Sequence, residues 1–120
     1  MKPIGSIGDL DKLDIRVGRI VLAEGVEKST KLIEMTVDFD GFTRTILSGM
    51  KEERKDCKAE LEGKQTLFVA NPVPRKMADE MSEGMTCDIG YEDGIVAVLA
   101  VPEFEVSVGS GSAQGAFPRP

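Results

Sequence analysis

Residues 71–77 bring two adjacent cations and an amide side chain into one short segment. Arg75 and Lys76 follow two prolines, and Asn71 precedes them. Because proline fixes φ and cannot continue a central strand, we predict a stiff turn that holds both cations away from the surface. Cations presented in this way suit phosphate oxygens, and arginine can contact two of them at once. The alternative is a solvated turn that happens to be basic, and the segment taken alone does not decide between the two.

A second segment that could take part in binding or chemistry is Ser-Glu-Gly-Met at residues 82–85. Gly84 permits a close backbone approach, and Ser82 offers a hydroxyl at the start of a strand. Taken alone, the pattern is more typical of a loop that caps a strand, with Met85 in the core.

Isolated cations also occur in the first half of the chain. Lys28 and Lys31 lie close together, and Arg44 precedes Ser48. A barrel would bring these residues to one face with Arg75, whereas each taken singly is ordinary exposed charge.

Composition argues against catalysis. The chain has no histidine, which removes the commonest proton shuttle near neutral pH and any Ser-His-Asp arrangement. Cys57 and Cys87 lie far apart and cannot make a structural zinc site alone. With no secretory signal in the sequence, we predict two reduced, partly buried thiols and a cytoplasmic location. We therefore expect a non-enzymatic protein with no metal and no cofactor.

The charge limits how the chain could hold a polyanion. The formal net charge of the 120 residues is −6, and residues 79–105 carry eight acidic and no basic side chains. Because a nucleic-acid binder is expected to be basic at its footprint, such a site must be a local patch. Binding should then be weak and strongly salt-dependent.

Alternation and apolar runs predict five or six short strands, over residues 15–24, 31–38, 43–47, 64–71, 85–91 and 95–101. Gly18 interrupts the first and indicates a bulge or a bend, and Asp40-Gly41 indicates a hairpin turn. Residues 51–62, rich in alternating charge, predict one short helix ending at Gly63. This pattern favours an all-β fold with a small closed barrel, in one domain over residues 1–110 with a flexible tail over 111–120.

Aromatic residues are few, with no tryptophan, one tyrosine and five phenylalanines. Phe39 and Phe42 near the hairpin tip are the only candidates for a platform on which bases would stack. If RNA binds, we expect recognition of shape and phosphate rather than base stacking.

Seven segments, taken in order and spacing, resemble the tRNA-binding domain family: residues 11–20, 31–32, 44–49, 60–64, 69–71, 74–77 and 82–85. This family includes free-standing tRNA-binding proteins and the C-terminal domain of many methionyl-tRNA synthetases. The resemblance implies an oligonucleotide-binding (OB) fold, a five-stranded barrel with one short helix and extra C-terminal strands. It also implies homodimers and structure-specific tRNA binding, from which we expect assistance in trans to an aminoacyl-tRNA synthetase or to tRNA handling. Relatives that act as export chaperones supply the alternative, a protein-interaction module of the same fold.

Carried over position by position, the resemblance nominates eight residues for the tRNA-facing surface: Asn71, Arg75, Lys76, Ser82, Met85, Lys31, Arg44 and Ser48. The chain departs from the family at Asp79 and Glu80, which place two acids beside the basic segment.

Overall fold

The computed structural model describes residues 1–51, 54–90 and 97–111. Within them the chain forms two helices, α1 (Ile7–Asp11) and α2 (Cys57–Leu61). The same residues form nine strands: β1 (Ile15–Gly25), β2 (Ile33–Asp38), β3 (Thr43–Ser48), β4 (Gln65–Val69), β5 (Arg75–Met77), β6 (Glu80–Ser82), β7 (Met85–Thr86), β8 (Asp88–Ile89) and β9 (Val98–Leu99). Neither helix is long and apolar enough to span a bilayer.

Five of these strands make the predicted barrel. Their order is β3-β2-β1-β4-β7, all antiparallel, so the first three form the expected meander. The long β1 pairs with β4 through its first half and with β2 through its second half. Because the two halves of β1 pair with different neighbours, the strand coils, and the five-stranded sheet nearly closes into a small all-β barrel.

The bulge of β1 lies at Val21, so of the two alternatives predicted for Gly18, a bulge or a bend, the bulge is wrong. The register between β1 and β2 shifts between Ile20 and Leu22, and Gly18 stays paired with Thr66 of β4. A Cβ atom at Gly18 would clash with Val37 and come within 3.0 Å of two phenylalanine rings. Glycine is therefore required here for packing.

The core follows the predicted alternation. Ile33, Met35 and Val37 of β2 are fully buried, and Phe39 meets Phe68 edge to face with ring centroids 5.7 Å apart. Burying each such side chain contributes about 1.5–3 kcal/mol. The predicted turn after β2 is confirmed, since Asp40 and Gly41 both have positive φ, 64° and 101°.

Residues 52 and 53 of the helix predicted over residues 51–62 lie outside the described residues, and the rest of that segment forms only the shorter α2. Asp56 caps α2 by accepting a hydrogen bond from the Ala59 amide at 3.1 Å, so the helix begins only at Cys57. Arg54 lies outside it and donates to the Ala97 carbonyl instead. Gly63, with φ of 87°, follows the helix as predicted.

A second helix, α1, was missed. Its signal is a capping box, in which Ser6 and Asp9 exchange hydrogen bonds between side chain and backbone. Both thiols are free and half-buried as predicted, and burial, with a smaller contribution from Asp88, raises the pKa of Cys87.

The C-terminal strands differ from the prediction. The strand expected over residues 85–91 divides into β7, which joins the barrel, and β8, which pairs with β9 outside it. Residues 91–96, with the predicted acidic turn, lie outside the described residues. Val17 of β1 exchanges backbone hydrogen bonds with Gly109 and Ser110. Residues 112–120 also lie outside the described part, so the division between domain and tail stays a prediction.

Candidate nucleic-acid interface

A groove with a volume of about 520 Å³ lies at one edge of the barrel. It is bounded by the loop between β1 and β2, by the end of β3, and by the long connection from β4 to β7 that contains the β5–β6 hairpin. Five of the eight predicted site residues line this groove: Lys31, Ser48, Arg75, Ser82 and Met85. Arg44, Asn71 and Lys76 are not part of its lining.

Arg75 and Lys76 lie on a strand and not in the stiff turn predicted for them. They belong to β5, where Arg75 is paired with Ser82 of β6. Successive side chains of a strand point to opposite faces. Arg75 and Met77 accordingly line the groove, whereas the Lys76 ammonium lies 4.0 Å from the Asp79 carboxylate.

Asp79 occupies the turn of the β5–β6 hairpin. Ala78 and Asp79 both have positive φ, 47° and 67°, the geometry of the tight turns that suit hairpins. The Asp79 carboxylate also lies 3.3 Å from the Lys28 ammonium in the loop between β1 and β2. Asp79, one of the two acids at which the sequence departs from the family, therefore forms ion pairs with Lys28 and Lys76.

The loop that carries Lys31 is held by hydrogen bonds. The Ser29 hydroxyl accepts from the backbone amides of Lys31 and Leu32, each at 3.1 Å. The Lys51 ammonium donates to the carbonyls of Val26 and Ser29, and the Lys51 amide donates to the Lys31 carbonyl. Lys31 thus stands at the groove on an ordered loop.

Ser82 completes the barrel wall between β3 and β7. Its hydroxyl accepts from the Leu47 amide at 3.0 Å and donates to the Gly84 carbonyl at 3.0 Å. The next residue, Glu83, exchanges two more hydrogen bonds with the backbone of Thr45. A Cβ atom at Gly84 would come within 2.7 Å of the Ile46 side chain, which explains the glycine.

Asn71 ties the N-terminal segment to the end of β4. Its side-chain oxygen accepts from the Asp14 amide at 2.7 Å, and its side-chain nitrogen donates to the Lys12 carbonyl at 3.0 Å. Both polar atoms of the amide are therefore used within the chain.

Arg44 lies beside the groove, against an aromatic ring. Its guanidinium is 5.2 Å from the centroid of Phe42 and 3.9 Å from the Glu83 carboxylate, and Arg16 approaches the same ring. Phe42 stacks on Phe39, which is buried in the core. The prediction that these two rings offer a stacking platform is wrong for Phe39.

Sequence reasoning missed the apolar wall of the groove, which includes Leu32, Val73 and Met77. Val73 is 87% exposed between its two prolines. Met85 is 56% exposed, although the alternative considered for residues 82–85, a loop that caps a strand, placed it in the core. Proline lacks the amide hydrogen that a central strand needs, so Val73, between two prolines, is not expected inside the sheet. This pattern in the sequence could have predicted its exposure.

The loops that bound the groove are the first connection and the fourth connection of a five-stranded OB barrel, the edge where such barrels bind oligonucleotides and oligosaccharides. The fold and the groove define an OB-fold ligand-binding domain. Residues 15–111 match the family model described as "Putative tRNA binding domain". The chain belongs to the tRNA-binding domain family.

Individual relatives agree with this assignment. The chain is 43% identical over 102 residues to a methionine–tRNA ligase of Bacteroides fragilis, covering 85% of this chain and 15% of the ligase. Among solved structures it is similar to the MetRS related protein of Pyrococcus horikoshii, with a TM-score of 0.83, 32% identity, and coverage of 93% of this chain and all of that one. It also shares its fold with the chaperone CsaA of Bacillus anthracis, with a TM-score of 0.80, 23% identity, and coverage of 92% and 100%.

Proposed function

We propose that the chain is a non-catalytic module that binds folded tRNA at the groove. The observation that carries the proposal is the position of Lys31 and Arg75, which come from two distant connections and line the same groove. The family assignment and the ligase relatives support tRNA as the polyanion. Within the described residues neither cation makes an ion pair, so both are available to phosphate oxygens.

The remaining nominated residues take different roles in this proposal. Ser48 and Met85 line the groove and contact the RNA. Lys76 and Arg44 lie beside it and contribute through longer-range charge, partly offset by Asp79 and Glu83. Asn71 and Ser82 position the connection that carries the others.

The test compares charge removal inside and outside the groove. Lys31→Ala and Arg75→Ala should each weaken tRNA binding by about tenfold, or about 1.4 kcal/mol. Each should also lower the slope of log affinity against log salt by about 1. Lys64→Ala removes the same charge from an exposed lysine outside the groove and should change binding much less.

Filter binding with tRNA, a duplex and an unstructured strand of equal length gives both the affinity and the preference for folded RNA. Equal losses for Lys31→Ala and Lys64→Ala would move the site elsewhere on the molecule.

We infer that the chain assembles as a homodimer in the cytoplasm and supports an aminoacyl-tRNA synthetase or tRNA handling in trans. Apolar side chains left exposed on α1 and on the β8–β9 pair, Ile7, Leu10, Ile89 and Val98, support an interface with a second copy. The synthetase is suggested by the ligase relatives, of which the chain spans 15% of the length. Sedimentation should give a dimer that Val98→Glu converts to a folded monomer, and a monomeric wild type would refute the dimer.

A protein-interaction role is the second candidate, and the exposed Val73 and Met85 at the groove are the observation that favours it. Capture of an unfolded polypeptide by the groove, with no retention of tRNA in the same buffer, would decide for this function.

A further inference from the structure

The groove contains more than a phosphate site requires. Phosphate oxygens need only the cations at its edge, yet its walls carry the apolar side chains of Leu32, Val73, Met77 and Met85. Its volume of about 520 Å³ falls in the range of about 300–1,000 Å³ typical of sites for small organic ligands. The occupant must therefore offer apolar surface as well as negative charge.

Polar groups are also present between these walls. The Ser48 hydroxyl makes no hydrogen bond within the described part of the chain, and Ser48 lines the groove where β3 ends. Thr86 lines it from β7, and the Thr86 Oγ1 atom is buried without a hydrogen-bond partner among the described residues. The Thr86 Oγ1 atom is covered by protein, whereas the Ser48 hydroxyl is not fully buried and would gain from a ligand with a polar edge.

A nucleobase joined to its phosphates combines the required properties. It has flat apolar faces, a polar edge and an anionic backbone. Methionine provides polarisable sulfur contacts to aromatic rings, and Met77 and Met85 supply them in a groove that no aromatic side chain lines within the described residues. The two cations of the lining, Lys31 and Arg75, outnumber its one acid, Asp88, and this excess of positive charge favours a nucleotide over an uncharged peptide.

We propose that the groove takes one unpaired nucleobase of the bound RNA. The base lies against Met77 and Met85, its edge meets Ser48, and its flanking phosphates meet Lys31 and Arg75. This inference rests on the proposed function and deepens it, because it makes an unstacked nucleotide the feature that distinguishes folded tRNA from a plain duplex.

The experiment uses two RNA hairpins with the same stem, one fully paired and one carrying a single unpaired nucleotide. The wild-type chain should bind the second about tenfold more tightly. Replacing the unpaired nucleotide by an abasic one, with the backbone intact, should abolish that preference. A fluorescent 2-aminopurine at the same position should change its emission when the chain binds.

Matched variants separate base recognition from phosphate binding. Met85→Ala should remove the preference and the emission change, whereas Met81→Ala, an exposed methionine outside the groove, should keep both. Arg75→Ala should weaken both hairpins by the same factor and leave their ratio unchanged.

Equal binding of the base-containing and abasic hairpins would overturn the inference and leave tRNA binding intact. Failure to bind tRNA and both hairpins would overturn the proposed function itself.

Discussion

Ser48 and Ser82 line the same groove, are both buried, and use their hydroxyl groups in different ways. The Ser82 hydroxyl accepts a hydrogen bond from the Leu47 amide and donates one to the Gly84 carbonyl, and so links β3 to the segment that precedes β7. Ser48 makes no side-chain hydrogen bond within the described residues. Under the proposed function, two serines nominated by one resemblance therefore divide into a structural residue and a binding residue.

The same division runs through the connection from β4 to β7. Asn71 and Ser82 hold the connection in place, and Arg75 and Met85 face the groove. If the proposed function holds, a motif residue can matter for binding without touching the ligand. The structural residues and the groove residues then differ in which measurement a substitution changes. Stability should respond to the first kind and RNA affinity to the second.

The largest effect is expected from Ser82→Ala. The change leaves the buried Leu47 amide without its partner, which should lower the free energy of unfolding by about 1–3 kcal/mol. Urea unfolding measures this, and Ser48→Ala is the control, which should change stability far less. If Ser82→Ala weakened tRNA binding while stability stayed constant, Ser82 would belong with the binding residues instead.

Asn71→Ala should have a smaller effect, because its partners lie in an exposed segment. Losing the bonds to the Asp14 amide and the Lys12 carbonyl should cost about 0.5–1.5 kcal/mol. Hydrogen exchange at the Asp14 amide should become faster, while the tRNA affinity of the folded protein should stay the same. Loss of affinity with unchanged exchange would place Asn71 at the RNA.

These distinctions mark the limit of what the sequence could predict. The barrel was predictable because it depends on local patterns, such as the alternation of Ile33, Met35 and Val37 and the turn at Asp40-Gly41. The length of α2 was not, because it depends on the cap at Asp56 and on a distant carbonyl that accepts from Arg54.

The convergence of the nominated residues was predictable only in part. Lys31 and Arg75 line one groove, as expected of a barrel, but Lys76 points the other way because β5 is a strand, where the prolines before it had indicated a turn. Whether a serine hydroxyl is already hydrogen-bonded within the chain depends on residues that can lie far away in the sequence. The donor to Ser82 is the amide of Leu47, which belongs to a different strand. No local pattern carries that information.

A third prediction concerns Asp79, the acid that pairs with Lys28 and Lys76. Asp79→Asn removes a carboxylate that lies near the ammonium groups of Lys28 and Lys76, and should raise tRNA affinity about threefold, in keeping with the small energies of exposed ion pairs. Glu80→Gln is the matched control, since it removes the same charge from the next residue, which makes no ion pair among the described residues. Equal gains from both variants would show that only overall charge matters.

The smallest effect is expected at α2, which lines no part of the groove and should respond in stability alone. The pKa of Glu62 is lowered, first by the hydrogen bond from the Ala23 amide and then by the Lys58 ammonium. A carboxyl group whose pKa is lower in the folded state stabilises the fold above its unfolded pKa, about 4.3, and loses that contribution as pH falls through the folded value. Glu62→Gln keeps an acceptor for the Ala23 amide and removes only the charge. Its stability deficit in urea should therefore be present at neutral pH and vanish in acid, while tRNA affinity matches that of the wild type. A deficit that persisted in acid would assign the contribution of Glu62 to packing or hydrogen bonding and not to its charge.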